Sequence, residues 1–156
     1  MKKVLIALNY DPTAQKVAEL GYEFAKSMGA EVTLLHVISD PMFYSSSDYS
    51  PIMGFSGYLK NDPLQLNTLE VLRSASFNFL DKSRNHLGDQ QIQILVEEGD
   101  VAEAILSVSK KIHADLAVMG SHSHKWLENI VMGSVTSEVL QHTIIPLYII
   151  PTKKQV

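Results

Sequence analysis

Residues 4–38 read VLIALNYDPTAQKVAELGYEFAKSMGAEVTLLHVI, and the alternation inside this stretch decides the fold. Val4–Leu8 is a short, unbroken apolar run, as a parallel strand buried on both faces requires. Asp11-Pro12 then predicts a helix start, with Asp as the N-cap and Pro at the first helical position. Val17, Leu20, Gly21, Phe24, Ala25 and Met28 follow at helical spacing, and Gly29 supplies the stop. Val32–Ile38 is a second apolar, β-rich run. An intervening helix is too long for a hairpin, so the two strands run parallel with a right-handed crossover.

The same alternation continues downstream. A long amphipathic helix is predicted over Leu66–Leu87, with Leu69, Leu72, Phe77, Leu80 and Leu87 on its apolar face and Gly88 closing it. Ile92, Ile94 and Val96 alternate with Gln and Glu, which reads as a strand with one wetter face at the sheet edge. Gly99-Asp100 turns into a helix from Val101 to about His113, Leu116–Met119 is a fourth strand, and Glu128–His142 is the last helix. Leu147–Ile150, bracketed by Pro146 and Pro151, is the fifth strand and suits an edge. Residues 39–64 stand apart. Prolines, glycines and Ser45-Ser46-Ser47 alternate there with Met42, Phe43, Tyr44, Tyr49, Met53, Phe55 and Tyr58. So long a connection is either a loop folded on its own domain or a lid over a ligand, and the sequence leaves both open.

A chain of 156 residues fits one domain. With 46% apolar and 19% charged residues it is an ordinary globular balance. The net charge of -4 and the lack of a Lys/Arg-rich run argue against a nucleic-acid partner, which needs a concentrated basic face. With no cysteine, thiolate catalysis, disulfides and Cys-based metal sites are excluded. No stretch approaches the roughly 18–20 apolar residues of a membrane span. The N-terminal apolar run meets Asn9 and Asp11 too early for a signal peptide, so the expected address is the cytoplasm.

The chemistry concentrates after the fourth strand. Met119-Gly120-Ser121-His122-Ser123 is a small-residue turn, and nine residues after Ser123 a second small-residue corner begins, Gly133-Ser134-Val135-Thr136. Glycine lets backbone approach a ligand closely, and N–H groups at such turns and at a helix N-terminus hold anions without formal charge. Ser134 and Thr136 offer hydroxyl donors. Gly-Ser corners after strands also serve simply as turns, so spacing alone leaves both readings standing. His122 and His124 form a His-x-His pair, but two ligands without Cys or a spaced carboxylate do not make a transition-metal site. No Gly-x-Ser-x-Gly elbow, Walker loop or Rossmann fingerprint is present, so nucleophilic catalysis finds little support and any hydrolysis should be slow. His36, in mid-strand, reads as a hydrogen-bonded structural histidine, and Asp11 as a helix cap.

On VLIALNYDPTA, LLHVI, EEGDVAEAIL, and ADLAVMGSHS followed after nine residues by GSVTSEVL and IPLYII, the chain resembles the universal stress proteins over essentially its whole length. Nucleotide-binding members carry Gly, two residues, Gly, nine residues, Gly, then Ser or Thr. Gly120, Gly133 and Ser134 match in register, Ser123 replaces the second Gly, and Asn9 stands where many ATP-binding members have aspartate. The resemblance implies ATP or a related adenine nucleotide (ADP, AMP), with Mg²⁺ accompanying the phosphates. Ala7, Asn9, Val37 and Met119 would surround the adenine and ribose; Gly120, His122, Ser123, Gly133, Ser134 and Val135 would face ribose and phosphates. It also implies a stress-response homodimer joined through Leu147–Ile150. The expected architecture is a single α/β domain over 1–156, an open five-stranded parallel sheet of order 3-2-1-4-5 with helices on both faces, of the adenine nucleotide alpha hydrolase-like kind. The alternatives are a nucleotide-free interaction module of the same fold and a slow Mg-dependent ATP hydrolase.

Overall fold

A computed structural model describes residues 2–39, 69–121 and 133–152. The strands are β1 (Lys3–Ala7), β2 (Glu31–Ile38), β3 (Gln93–Glu98), β4 (Leu116–Gly120) and β5 (Leu147–Ile150). They form one five-stranded sheet of order β3-β2-β1-β4-β5, with every neighbouring pair parallel. The helices are α1 (Ala14–Ser27), α2 (Leu69–Leu87), α3 (Val101–Lys111) and α4 (Ser134–His142). The expected order therefore holds, with β3 and β5 as the two edges. Most of the predicted 39–64 connection, residues 66–68 of the predicted second helix and residues 128–132 of the predicted last helix lie outside the described residues.

The alternation of β1 places its side chains on two separate cores. Val4, Ile6 and Leu8 join α1 and α2 on one face, with Val17, Leu72, Phe79 and Leu80. Leu5 joins α3 and α4 on the other, with Ile105, Val108, Met119 and Val139. Period-two alternation across a sheet covered on both sides produces this division.

Three local expectations need correction. α1 begins at Ala14 with Thr13 as its N-cap, not at Asp11-Pro12. Asp11 instead closes the turn before the helix: its carboxylate accepts the Thr13 N–H at 2.8 Å and also the Thr13 hydroxyl. Second, Leu20, Phe24 and Met28 are not on the buried face of α1, which consists of Ala14, Val17, Ala18, Gly21 and Ala25. The helix lies too close to the sheet for larger side chains, since a Cβ on Gly21 would stand 2.9 Å from Val118 Cγ1. Phe24 packs at the flank, its ring 4.6 Å from that of Tyr148 on β5. Third, α2 buries Phe79 and leaves Phe77 52% exposed. Its inner face is Leu72, Ala75, Ser76, Phe79, Leu80 and Ser83, where small residues fill places a count of large apolar residues overlooks.

His36 matches its expectation. It is buried, and its Nδ1 lies 2.8 Å from the Leu8 carbonyl oxygen, so that nitrogen donates. His86 sits in the last turn of α2, and its Nε2 reaches Glu19 Oε1 on α1 at 2.7 Å.

Candidate functional site: a crevice at the switch in strand order

Strand order reverses between β1 and β4: β1 runs on to α1 on one face of the sheet, while α4, which follows β4 in the chain, lies on the other. Connections that diverge in this way leave a crevice beyond the carboxyl ends of the strands. A cavity of about 150 Å³ occupies that place. Ala7 and Asn9 line it from the end of β1, Val37 from β2, Met119 and Gly120 from β4, and Val135 from α4. The two segments singled out in the sequence, Asn9 and the Gly120 turn, thus face one space.

Backbone hydrogen bonds fix the rim. The Ser121 N–H donates to the Ile150 carbonyl at 2.9 Å, and the Gly133 N–H to the Ser121 carbonyl at 2.6 Å. The two small-residue corners are therefore tied together, with the N-terminus of α4 beside Gly120. Gly133 is the N-cap of α4 at φ -68, ψ 163, with no side-chain cap, and the first turn carries no acidic residue. Its torsions suit any residue, so no unusual backbone shape requires glycine here.

Other predicted positions fall differently. Gly133 is buried and Ser134 exposed at the start of α4, and neither lines the cavity. His122 and Ser123 lie outside the described residues. Thr136, read as a hydroxyl donor to a ligand, instead donates to the Gly120 carbonyl at 2.9 Å. It is a brace under the turn. Gly133 lies at the helix cap, not inside a helix starting at Glu128.

The sequence reading assigned no binding role to Asp11, Thr13, Leu35, Val101 and Ile105, which also line the cavity. The three apolar residues carry no sequence signal, because a strand or helix residue over a crevice reads as core. Asp11 did carry one: a carboxylate two residues beyond the end of a buried strand. Only 6% of it is exposed, and burial raises its carboxyl pKa against the opposing hydrogen bonds from Thr13, Asn9 and the Ala14 N–H. Among the described residues, no group of three or more His, Asp or Glu side chains is placed to hold a metal ion, and no helix is long and apolar enough to cross a membrane.

Known proteins share this fold. The chain is 26% identical over 155 residues to the universal stress protein MJ0577 of Methanocaldococcus jannaschii, covering 97% of this chain and 96% of that one. The solved structure of MJ0577 superposes with a TM-score of 0.71 at 25% identity, covering 99% and 98% of the two chains. The universal stress protein from Archaeoglobus fulgidus, solved in complex with dAMP, superposes with a TM-score of 0.59 at 15% identity and 96% and 98% coverage. A universal stress protein solved in complex with cAMP gives 0.59 at 14% identity, with 96% and 95% coverage. The profile of the universal stress protein family matches residues 1–151, and the chain belongs to that family.

Proposed function

We propose that this stress protein binds an adenine nucleotide, ATP foremost, in the crevice between β1 and β4, and acts as a cytoplasmic regulatory homodimer whose state the nucleotide sets. The carrying observation is the convergence of an apolar slot (Val37, Met119, Leu35) with the α4 N-terminus and Gly120 at the switch in strand order. The slot suits a planar base, and helix N–H groups suit a phosphate. The relatives solved with dAMP and cAMP support the same ligand class. Mg²⁺ would arrive with the phosphates and take its ligands mainly from phosphate and water.

The experiment is to purify the chain from the cytosolic fraction of its cells, denature it, and identify released small molecules by mass spectrometry. The emptied protein is then titrated with ATP by calorimetry. A near-stoichiometric adenine nucleotide or micromolar ATP binding is expected. Gly133→Val, whose torsions valine accepts, should weaken ATP by tenfold or more by crowding the helix N-terminus, with the thermal melt checking that this buried corner still folds. A chain that binds no adenine nucleotide overturns the reading. Binding without Mg²⁺-dependent turnover would exclude the hydrolase alternative.

The dimer rests on β5. Among the described residues it pairs only with β4, its Leu147, Tyr148 and Ile149 are half-buried, and Ile144 beside it is 82% exposed. An apolar edge with unpaired backbone groups invites a second copy. Sedimentation should give twice the 17.3 kDa chain mass; a monomer at every concentration would rule the dimer out.

A further inference from the structure

We propose that Gln15, Glu19 and His86 form a surface site for a divalent transition-metal ion, which clips α1 to α2. None of the three lines the crevice, and the site stands whether or not a nucleotide binds there.

α1 supplies Gln15 and Glu19, one turn apart, and the last turn of α2 supplies His86. Their polar ends form a small triangle. Gln15 Nε2 stands 3.0 Å from Glu19 Oε1 and 3.2 Å from His86 Nε2, and His86 Nε2 stands 2.7 Å from Glu19 Oε1. Hydrogen bonds cannot satisfy all three edges, because an imidazole Nε2 carries either a proton or a lone pair. With the proton it donates to Glu19 and faces the Gln15 amide donor to donor. With the lone pair it accepts from Gln15 and faces the carboxylate acceptor to acceptor. Turning the Gln15 amide over sets its oxygen in the place of Nε2, and three lone pairs then converge on one point. A cation there satisfies them all.

The dimensions fit such an ion. Nitrogen and oxygen ligands about 2.1 Å from a common centre lie about 3.0 Å apart when their bonds meet at right angles, and about 3.4 Å apart at tetrahedral angles. Edges of 2.7, 3.0 and 3.2 Å match one face of an octahedron. Water completes the shell, since the His86 and Glu19 side chains are 46% and 47% exposed. Hydrogen bonds from Gln15 and then His86 lower the Glu19 carboxyl pKa, which keeps the carboxylate ionised as a ligand. The imidazole favours a d-block ion over Mg²⁺, which prefers oxygen throughout.

The test titrates the full chain with NiCl₂ by calorimetry, without nucleotide because phosphates sequester the ion. The wild type should bind Ni²⁺ with micromolar affinity, and at a hundredfold excess over Kd its melting temperature should rise by roughly 5–10 °C. Loss of an outer partner of a metal ligand already costs about ten- to a hundredfold, so His86→Ala and Glu19→Ala should each weaken Ni²⁺ at least tenfold. Both residues are exposed, and circular dichroism confirms that the variants fold. Gln15→Glu should do the reverse: the added charge lowers the metal-free melting temperature, while Ni²⁺ binds about tenfold or more tightly. Ni²⁺ affinity unchanged in His86→Ala overturns the assignment in favour of other histidines, His122 and His124 included. Loss in His86→Ala without loss in Glu19→Ala overturns it in favour of a lone imidazole. No gain of Ni²⁺ affinity in Gln15→Glu, or displacement of Ni²⁺ by an equal concentration of Mg²⁺, overturns it as well.

Discussion

Phe79→Ala should lower the unfolding free energy by about 4 kcal/mol, while Phe77→Ala should cost less than about 1. Phe79 is fully buried in the larger core. Its ring meets Tyr10 edge-on at 5.9 Å and His36 edge-on at 5.6 Å, so truncation removes apolar burial and two aromatic contacts at once. The neighbours, His36 fixed in β2 and Tyr10 buried just beyond β1, cannot collapse fully into the space, and the cavity adds to the transfer loss. For a chain of this size the melting temperature should fall by roughly 8–16 °C. Phe77, 52% exposed on the same helix, has little to lose. Equal losses from the two truncations would mean that α2 is rotated from the position described.

The second large effect is on acid stability, through His36. Burial holds the pKa of this imidazole at about 4, although its hydrogen bond to the Leu8 carbonyl pulls the other way. In the unfolded chain its pKa is about 6.5. Between those values the unfolded chain takes up a proton that the native protein refuses, so stability rises with pH across the window. The contribution is complete above the unfolded value and is lost as pH falls toward about 4, some 3 kcal/mol in all at 1.36 kcal/mol per unit. Below that, the native imidazole also protonates and the loss stops. Asp11 acts with opposite sign, since its raised pKa favours the native state as its carboxyl protonates, and this offsets part of the loss at the acid end. Urea denaturation from pH 7 to pH 4 should show the slope, and His36→Asn should flatten it. An unchanged slope in that variant would assign the acid sensitivity to other groups. Because Phe79 covers the imidazole, Phe79→Ala should also narrow the window by admitting water.

The legible parts of the fold were those where one property dominates. The runs at Val4–Leu8 and Leu116–Met119 are apolar without interruption, and Val32–Ile38 is broken only by Thr33 and His36, because both faces of the central strands are covered. The weaker alternation around Ile94 marked an edge for the converse reason. The family resemblance contributed the register of Gly120 with Gly133. What escaped was set by distance between elements, which a single sequence does not encode. The closeness of α1 to the sheet made Ala14, Ala18 and Gly21 the inner face and turned Leu20, Phe24 and Met28 outward. In α2, Ala75, Ser76 and Ser83 are buried, so the face could not be found from leucines and phenylalanines alone. In the crevice, Asp11 and Thr136 were visible as residue types but not in their roles. Each role depends on a partner from elsewhere in the space: the cavity wall for Asp11, the Gly120 carbonyl for Thr136.

The pairing of β1 with β4 also governs the order of events during synthesis. Lys3 and Asp115, which bond across the foot of this pair, are 112 residues apart. A ribosome delivers β1, α1 and β2 together, and a βα-β unit of that kind closes a short loop at small entropic cost. The opposite edge of β1 must wait for most of the remaining chain. Until β4 emerges, Val4, Leu5 and Ile6 form an open apolar edge, a liability that chaperones or rapid completion must cover. The crevice has one wall on each side of that late seam, so it is among the last features to form, and whatever occupies it acts on a finished chain.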